Sequence, residues 1–253
     1  MSCPHGFISG AIAAFAVWPF ETIRTQKQVL HNSAFSNRVQ HIYQKQGLTG
    51  FYKGLTHGIG GIGMFFALYF PIHGELKKRY ISHNLGDNEF GIRPFLASYC
   101  AANISSVFSN IFHVILTRRQ TQVTTSNPNV NSTIFGVIRR EGIKGLTRGL
   151  GITWVKNVEL GIIAPFREYM KANGSDPLLA TFTAKLLITS ITYPLDTART
   201  LSRYSTKPLS AKQIMLQFYK FPASAYKGYS LYVLRSVFAT VIVFTMYDWL
   251  ESY

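Results

Sequence analysis

Charged side chains recur in a fixed pattern after two prolines of this chain. The first cassette reads Pro19-Phe-Glu21-Thr-Ile-Arg24, and the third reads Pro194-Leu-Asp196-Thr-Ala-Arg199. A carboxylate and a guanidinium three residues apart share one face of a helix, where their pairing is worth about 0.2–0.5 kcal/mol. These side chains can therefore form ion pairs. Its recurrence after proline favours pairing between helices over a local contact within one helix.

A weaker copy of this cassette lies between the two. We interpret it as His113-Val-Ile115-Leu-Thr-Arg118, so that His113 replaces the proline and Ile115 replaces the acid. Each copy is followed by a basic residue and a glycine that closes the cassette. The closing glycines are Gly54, Gly149 and Gly228, which lie 95 and 79 residues apart.

Repetition at a regular interval predicts similar structural units. We place three repeats at residues 1–86, 87–175 and 176–253. Charge is almost absent from long stretches of each: residues 94–117 contain no Lys, Arg, Asp or Glu, and residues 228–247 contain only Arg235. A helix of about 20 such residues crosses a bilayer. The pattern predicts six helices, at residues 5–30, 54–80, 94–122, 149–171, 178–203 and 228–251.

Basic residues concentrate in alternate connections between these helices. Residues 24–53, 118–148 and 199–227 hold 17 of the 26 Lys and Arg residues. Such asymmetry is the positive-inside pattern of membrane proteins. Apolar residues at helical spacing in each connection predict a short helix along the membrane surface. The predicted fold is an all-α membrane protein with six transmembrane helices in three pseudo-symmetric repeats, each with a short surface helix.

Composition excludes several other classes of protein. Two isolated cysteines suggest neither a disulfide framework nor a metal site. A phosphate-binding glycine loop and a catalytic triad are both missing from the sequence, so we expect no enzyme and no cofactor. The net charge of +15 would also fit a nucleic-acid-binding protein, but the long uncharged stretches argue for a membrane partner instead of a nucleic acid.

The three cassettes, with Tyr52-Lys53-Gly54 and its counterparts, resemble those of the mitochondrial carrier family along essentially the whole chain. The resemblance implies a multi-pass monomer of the inner mitochondrial membrane. It also implies transport of a small anionic substrate by alternating access around a central site.

The resemblance further implies a gate on the matrix side, where acids and cations of the odd-numbered helices pair. Glu21 would meet Arg118, and Asp196 would meet Arg24. Ile115 would leave Arg199 without an acid. Two glutamines hold the place that braces these pairs in the family. The implied gate comprises Glu21, Arg24, Arg118, Asp196, Arg199, Gln28 and Gln122, and Arg203 takes the glutamine's place in the third repeat.

A second gate is implied on the cytoplasmic side, by Glu75, Lys78, Glu168, Lys171, Tyr247 and Asp248. Gly54, Gly149 and Gly228 open helices whose free N–H groups suit the phosphates of cardiolipin.

Substrate contacts in this family lie two turns beyond each closing glycine. Counting seven residues gives Gly61, Lys156 (with Asn157) and Arg235. A charge at the bilayer centre costs about 2.5–3.5 kcal/mol, which makes such cations functional candidates. Two cations imply an anion, and nearby segments resemble those of tricarboxylate and oxo-acid carriers. Gly61 would leave room for the body of the substrate.

The sequence keeps two alternatives open. One is a nucleotide carrier, with Phe65, Tyr69 or Tyr232 stacking on a base. The other is a degenerate, non-transporting membrane adaptor, suggested by the losses at His113 and Ile115.

Overall fold

The computed structural model of the chain is helical. It describes residues 3–29, 35–81, 92–122, 132–159, 161–163, 170, 173–174, 176–206, 209 and 211–251. No β-strand occurs in this part of the chain, so the predicted all-α class is confirmed there. The repeat boundaries that we placed at residues 86/87 and 175/176 touch residues outside the described ranges.

The helices are numbered in chain order. They are α1 (Cys3–Val29), α2 (Phe35–Gln46), α3 (Leu55–Ile81), α4 (Ile92–Gln122), α5 (Ile134–Glu141), α6 (Ile143–Leu146), α7 (Leu150–Lys156), α8 (Pro177–Tyr204), α9 (Ala211–Lys220), α10 (Pro222–Ala225) and α11 (Tyr229–Glu251). A 3₁₀ helix at Gly47–Tyr52 leads into α3.

Five of the six predicted long helices match α1, α3, α4, α8 and α11 to within a few residues. The fourth, predicted at residues 149–171, begins as α7, turns at Asn157 and is helical again at 158–159 and 161–163. By length and composition alone, two stretches of the described chain could cross a membrane, Val39–Arg79 and Phe95–Gln122. Helix α3 packs along α4, and α1 packs along α11.

The three predicted surface helices are present as α2, α5 and α9. Each is held to the long helix of its own repeat by a small apolar core. The three cores contain Ile23, Ile42 and Phe51; Ile115, Val137 and Leu146; and Ala198, Ile214 and Ala225. Burying these side chains fixes the connection against the helix that carries the cassette.

The closing glycines join consecutive repeats. Gly54, Gly149 and Gly228 have φ values of 82°, 74° and 83°, a left-handed conformation that only glycine adopts without strain. A Cβ on each would approach a carbonyl oxygen of the next repeat's long helix. Those oxygens belong to Leu116, Arg199 and Arg24, at 3.5, 3.1 and 3.4 Å. The glycine of the first repeat thus contacts the second repeat, that of the second contacts the third, and that of the third contacts the first.

Candidate functional site

The structure fixes the register of the second cassette through the closing glycines, which place the carbonyls of Arg24, Leu116 and Arg199 at equivalent positions. Three matching hydrogen bonds agree with this register. In each repeat a threonine hydroxyl donates to the carbonyl four residues earlier. The pairs are Thr25 with Glu21, Thr117 with His113 and Thr200 with Asp196, at 3.0, 2.9 and 2.9 Å. His113 therefore stands where the other repeats carry their acid.

Two further contacts agree with this register. Ile115 lies in the apolar core of its repeat, as do Ile23 and Ala198, which follow the acids by two residues. Asn110 Nδ2 donates to the carbonyl before Gly149 at 3.1 Å, as the Tyr193 hydroxyl does before Gly228 at 3.0 Å.

The second cassette consequently reads Ile111-Phe-His113-Val-Ile115-Leu116-Thr117, which corrects our alignment by two residues. Ile115 is a core position, not the lost acid. Leu116, not Arg118, occupies the position of the cation. Matching Arg118 to Arg24 gave the wrong register, because the second repeat has no cation at the position of Arg24.

One predicted ion pair spans helices α1 and α8. Arg24 Nη2 binds Asp196 Oδ2, and both side chains are more than nine-tenths buried. Asp196 Oδ1 also accepts from Arg199 at 2.5 Å, so Arg199, predicted to lack an acid, is paired within its own helix. We call the layer formed by Glu21, Arg24, His113, Asp196 and Arg199 the closing layer.

The predicted pairing of Glu21 with Arg118 is replaced by other contacts. Glu21 lies 3.0 Å from Arg24 and 3.3 Å from Arg235. Arg118 is fully buried and donates to the two oxygens of Glu141 at 2.6 and 3.0 Å. Two residues along a helix turn a side chain by about 200°, so Arg118 leaves α4 on a different face from the closing layer.

Below the closing layer, three polar side chains brace the helices. Gln28 Nε2 donates to the Tyr193 hydroxyl at 3.1 Å. Gln120 Nε2 lies 3.5 Å from Thr22 Oγ1, and Gln120, not Gln122, is the counterpart of Gln28 in the corrected register. In the third repeat Arg203 takes this place.

A cavity of about 220 Å³ opens between α3, α4, α7 and α8. Its walls combine apolar rings of α3, Phe65 and Phe66, with polar side chains of the other helices. Among the described residues, those that line it with a charge are Lys156, Glu159, Arg199 and Arg203, and His113 also faces it. Three cations with one acid suit an anionic ligand, since charge is costly to bury without a partner.

Two of the predicted substrate residues line this cavity. Lys156 Nζ is 2.7 Å from Glu159 Oε2. Glu159 also accepts from the hydroxyls of Thr189 and Thr192 on α8, at 2.6 and 3.0 Å. Asn157 Nδ2 donates to Asn103 at 2.8 Å. In this structure, therefore, an internal carboxylate neutralises Lys156.

The other two predicted residues are outside the described lining of the cavity. Arg235 lies against Glu21. Gly61 packs on α4, because a Cβ there would be 3.2 Å from Phe112 and 3.3 Å from the His113 ring. The room that we expected beside Gly61 is thus filled by α4.

Sequence reasoning missed two cavity residues. Glu159 follows Lys156 by three residues, a spacing that signals an ion pair on one helix. Arg203 was treated only as a substitute brace, although it replaces an amide with a charge. Lys185, on α8, interacts electrostatically with Arg235, Glu159 and Lys156.

At the other end of α3, Glu75 pairs with Arg79 at 3.0 Å in an exposed contact rather than with Lys78. Glu168 and Lys171 lie outside the described residues, and the structure does not describe the side chains of Tyr247 and Asp248.

The family model described as "Mitochondrial carrier protein" matches residues 2–84, 88–177 and 170–253. Three successive matches agree with the predicted threefold repetition.

Several curated proteins are similar to the chain. The chloroplastic nicotinamide adenine dinucleotide transporter 1 of Arabidopsis thaliana is 26% identical over 98% of this chain and 90% of its own length. Mitoferrin of Dictyostelium discoideum is 28% identical over 76% of this chain and 70% of its own. The mitochondrial coenzyme A transporter of Xenopus laevis is 26% identical over 62% of this chain and 50% of its own.

Proposed function

The chain belongs to the mitochondrial carrier family, and from that membership and its cavity we propose how it works. Six transmembrane helices carry a small anionic metabolite across the inner mitochondrial membrane by alternating access. The observation that carries this proposal is the cavity between α3, α4, α7 and α8, where cations outnumber acids beside a buried, ion-paired closing layer.

In the absence of substrate, carboxylates of the protein pair with the cations that we propose bind the substrate. Glu159 neutralises Lys156, and Glu21 neutralises Arg235. A buried cation without a partner costs several kcal/mol, so these pairs stabilise the empty protein. A substrate anion would take the place of Glu159 at Lys156, with Asn157 adding a hydrogen bond.

The closing layer forms the matrix gate in this proposal. The Arg24–Asp196 pair and the bracing residues Gln28 and Gln120 hold the odd-numbered helices together. Glu21 contacts both Arg24 and Arg235. A substrate that binds Arg235 would draw it from Glu21 and so alter the gate. On the cytoplasmic side, Glu75, Lys78, Glu168, Lys171, Tyr247 and Asp248 would close after substrate entry.

A small carboxylate or oxo acid is the substrate that the sequence favours. The cavity of about 220 Å³ is below the roughly 300–1,000 Å³ of sites for drug-sized ligands, which supports a compact substrate. Arg holds a carboxylate with a planar pair of N–H groups, and Lys acts as a point charge.

A nucleotide is the second candidate. Phe65, which lines the cavity, stacks on Tyr69 with ring centroids 5.6 Å apart and an interplanar angle of 11°. Such a flat aromatic surface suits a base. The names of two relatives, a nicotinamide adenine dinucleotide transporter and a coenzyme A transporter, point the same way.

Cardiolipin is the lipid partner that we propose for Gly54, Gly149 and Gly228, with the protein acting as a monomer. In the first repeat, partial burial and the nearby Arg119 lower the pKa of the Lys53 ammonium. Two cations beside a helix N-terminus would favour a lipid phosphate.

Uptake into liposomes tests the proposed function. Purified protein should exchange at least one member of a panel of oxo acids, dicarboxylates, citrate and nucleotides. Lys156→Ala should reduce the rate severely, whereas Lys144→Ala, at an exposed site in a basic connection, should not. Absence of exchange with every member of the panel would favour the non-transporting adaptor.

A further inference from the structure

We propose that Arg199 and Arg203 form an oxyanion subsite at the end of the cavity next to the closing layer. The subsite exists because His113 stands where an acid would otherwise pair with Arg199. This inference depends on the proposed transport function and adds a second binding point for the same substrate, beyond Lys156.

Arg203 is held in place by neutral groups. Its side chain is buried, with 5% of the residue exposed, and it lines the cavity. Nε and Nη2 donate to Asn110 Oδ1 at 3.1 and 2.8 Å, and Nη2 also donates to Thr153 Oγ1 at 3.3 Å. Among the described residues, no carboxylate pairs with it.

The remaining donors of Arg203 are on Nη1. A guanidinium carries five N–H groups, and the contacts above engage those on Nε and Nη2. Within the described part of the chain, Nη1 finds no acceptor. Asn110 fixes the plane of the guanidinium, because its own amide donates to the carbonyls of Leu146 and Arg148. An oriented donor group is thus presented to the cavity.

Arg199 adds a second incompletely satisfied guanidinium. Nη2 binds Asp196, but the buried Nε has no hydrogen-bond partner in the described residues. Asp196 is shared with Arg24 and also accepts from Gln28 at 3.5 Å. One carboxylate therefore serves two guanidiniums.

Within the part of the chain that the structure describes, the charges at this end of the cavity do not balance. Arg24, Arg199 and Arg203 face Asp196 and Glu21, and Glu21 is also engaged by Arg235. Glu159 is engaged by Lys156. The surplus is positive, and it lies in a site where charges are weakly screened. Repeats one and two avoid this surplus, since Gln28 and Gln120 are neutral at the position of Arg203.

The ligand class follows from the donors. Guanidinium groups present paired N–H donors that match the oxygens of a carboxylate or a phosphate. Ser109 also faces the cavity, and its hydroxyl is 3.5 Å from the Ser106 carbonyl, the outer limit of a hydrogen bond, so it can turn to a ligand. The shared chemistry is an oxyanion of the substrate, and 2-oxoglutarate and adenosine monophosphate represent the two sources.

Arg203→Gln is the decisive variant because it installs the residue type of the other two repeats. Its amide can still donate to Asn110, so a purely structural role of Arg203 predicts little change. The proposal instead predicts that the variant loses about tenfold or more in affinity for the bound anion. Affinity is measured from the ligand-dependent rise in Tm of the detergent-solubilised protein, with 2-oxoglutarate and with adenosine monophosphate in separate titrations.

Three companion variants complete the experiment. Arg203→Lys should retain part of the affinity, because the charge remains. His113→Asp should weaken binding by giving Arg199 its own carboxylate, and it keeps the test decisive should Arg203→Gln fail to fold. Arg139→Gln, at an exposed site of the surface helix α5, should leave affinity unchanged.

The outcomes separate this inference from the proposed function. If wild-type protein exchanges a substrate and both Arg203→Gln and His113→Asp bind it with wild-type affinity, the subsite is wrong although transport stands. If wild-type protein binds one of the two anions and Arg203→Gln does not, the subsite stands even without exchange. If neither anion raises the Tm of wild-type protein, the subsite as an oxyanion site is overturned.

Discussion

Two of the helix–helix contacts in the closing layer, which we call seams, differ in chemistry. Between α8 and α1, Asp196 and Arg24 form a buried ion pair that Gln28 supports. Between α4 and α8, the equivalent positions are His113 and Arg199, which the corrected register places opposite each other without an acid. The first seam is closed by opposite charges, and the second leaves a cation beside the cavity.

The difference shows that one structural position can serve either closure or binding. Where an acid is present, it forms an ion pair with the cation of the neighbouring helix, and this pair holds the two helices together. Where the acid is lost, that cation keeps only the carboxylate of its own helix, so part of its guanidinium is left for a ligand. The helices then need another connection. Here Arg118 supplies it, donating to the carbonyl of Arg203 at 3.1 Å while Glu141 neutralises its charge.

Removal of the ionic seam should have the largest effect. Asp196→Asn leaves Arg24 with the partly exposed Glu21 as its one counter-ion among the described residues. Breaking a buried pair by removing one partner typically costs about 3–5 kcal/mol. We expect a large fall in Tm in detergent and a loss of the state in which the closing layer is shut.

Glu75→Gln is the matched control for this change. It also converts an acid into an amide in an ion pair, but the Glu75–Arg79 pair is exposed, and such pairs contribute about 0–1 kcal/mol. Equal losses of Tm for the two variants would contradict a special role of the α8–α1 seam.

Restoring an acid in the second repeat should have an intermediate effect of opposite sign. His113→Asp places a carboxylate beside Arg199 and recreates the missing ionic seam. We expect a higher Tm and slower exchange, because the closed layer gains a buried ion pair.

Ile115→Asp distinguishes the two registers. Ile115 is fully buried against Val137 and Leu146, so a carboxylate there would have no partner, and burying an unpaired charge is strongly destabilising. Stabilisation by Ile115→Asp together with destabilisation by His113→Asp would restore our original alignment and refute the structural one.

Much of the fold followed from the sequence. Proline, charge spacing and uncharged runs located five long helices, because helix length and periodicity are local properties. The apolar spacing in the basic connections located α2, α5 and α9 for the same reason. The closing glycines were visible because their left-handed φ leaves little choice of residue.

The register of the second cassette was not accessible in the same way. Its proline, acid and cation have all been replaced, so charge could not align it, and Arg118 offered a false match. The contacts that do align it run from the closing glycines to the carbonyls of Leu116, Arg199 and Arg24, and they depend on how the helices pack. The Lys156–Glu159 pair was within reach of the sequence, because the two residues are three apart on one stretch of chain. The contact of Glu21 with Arg235 was not, because pairing between α1 and α11 depends on how the helices pack.

The smallest predicted effect concerns a hydrogen bond that two repeats have and the second lacks. Thr22 donates to the Phe51 carbonyl at 2.7 Å, and Thr197 donates to the Ala225 carbonyl at 2.8 Å. The equivalent residue of the second repeat is the buried Val114, and Asn110 reaches the Leu146 carbonyl instead at 2.8 Å.

Thr22→Val and Thr197→Val should each cost about 1–3 kcal/mol, since each leaves a buried carbonyl unpaired. Val114→Thr should bring no gain, because Asn110 already satisfies that carbonyl. The measurement is the Tm of each single variant in detergent, and a gain of stability from Val114→Thr comparable to the loss from Thr22→Val would show that Asn110 does not replace the threonine.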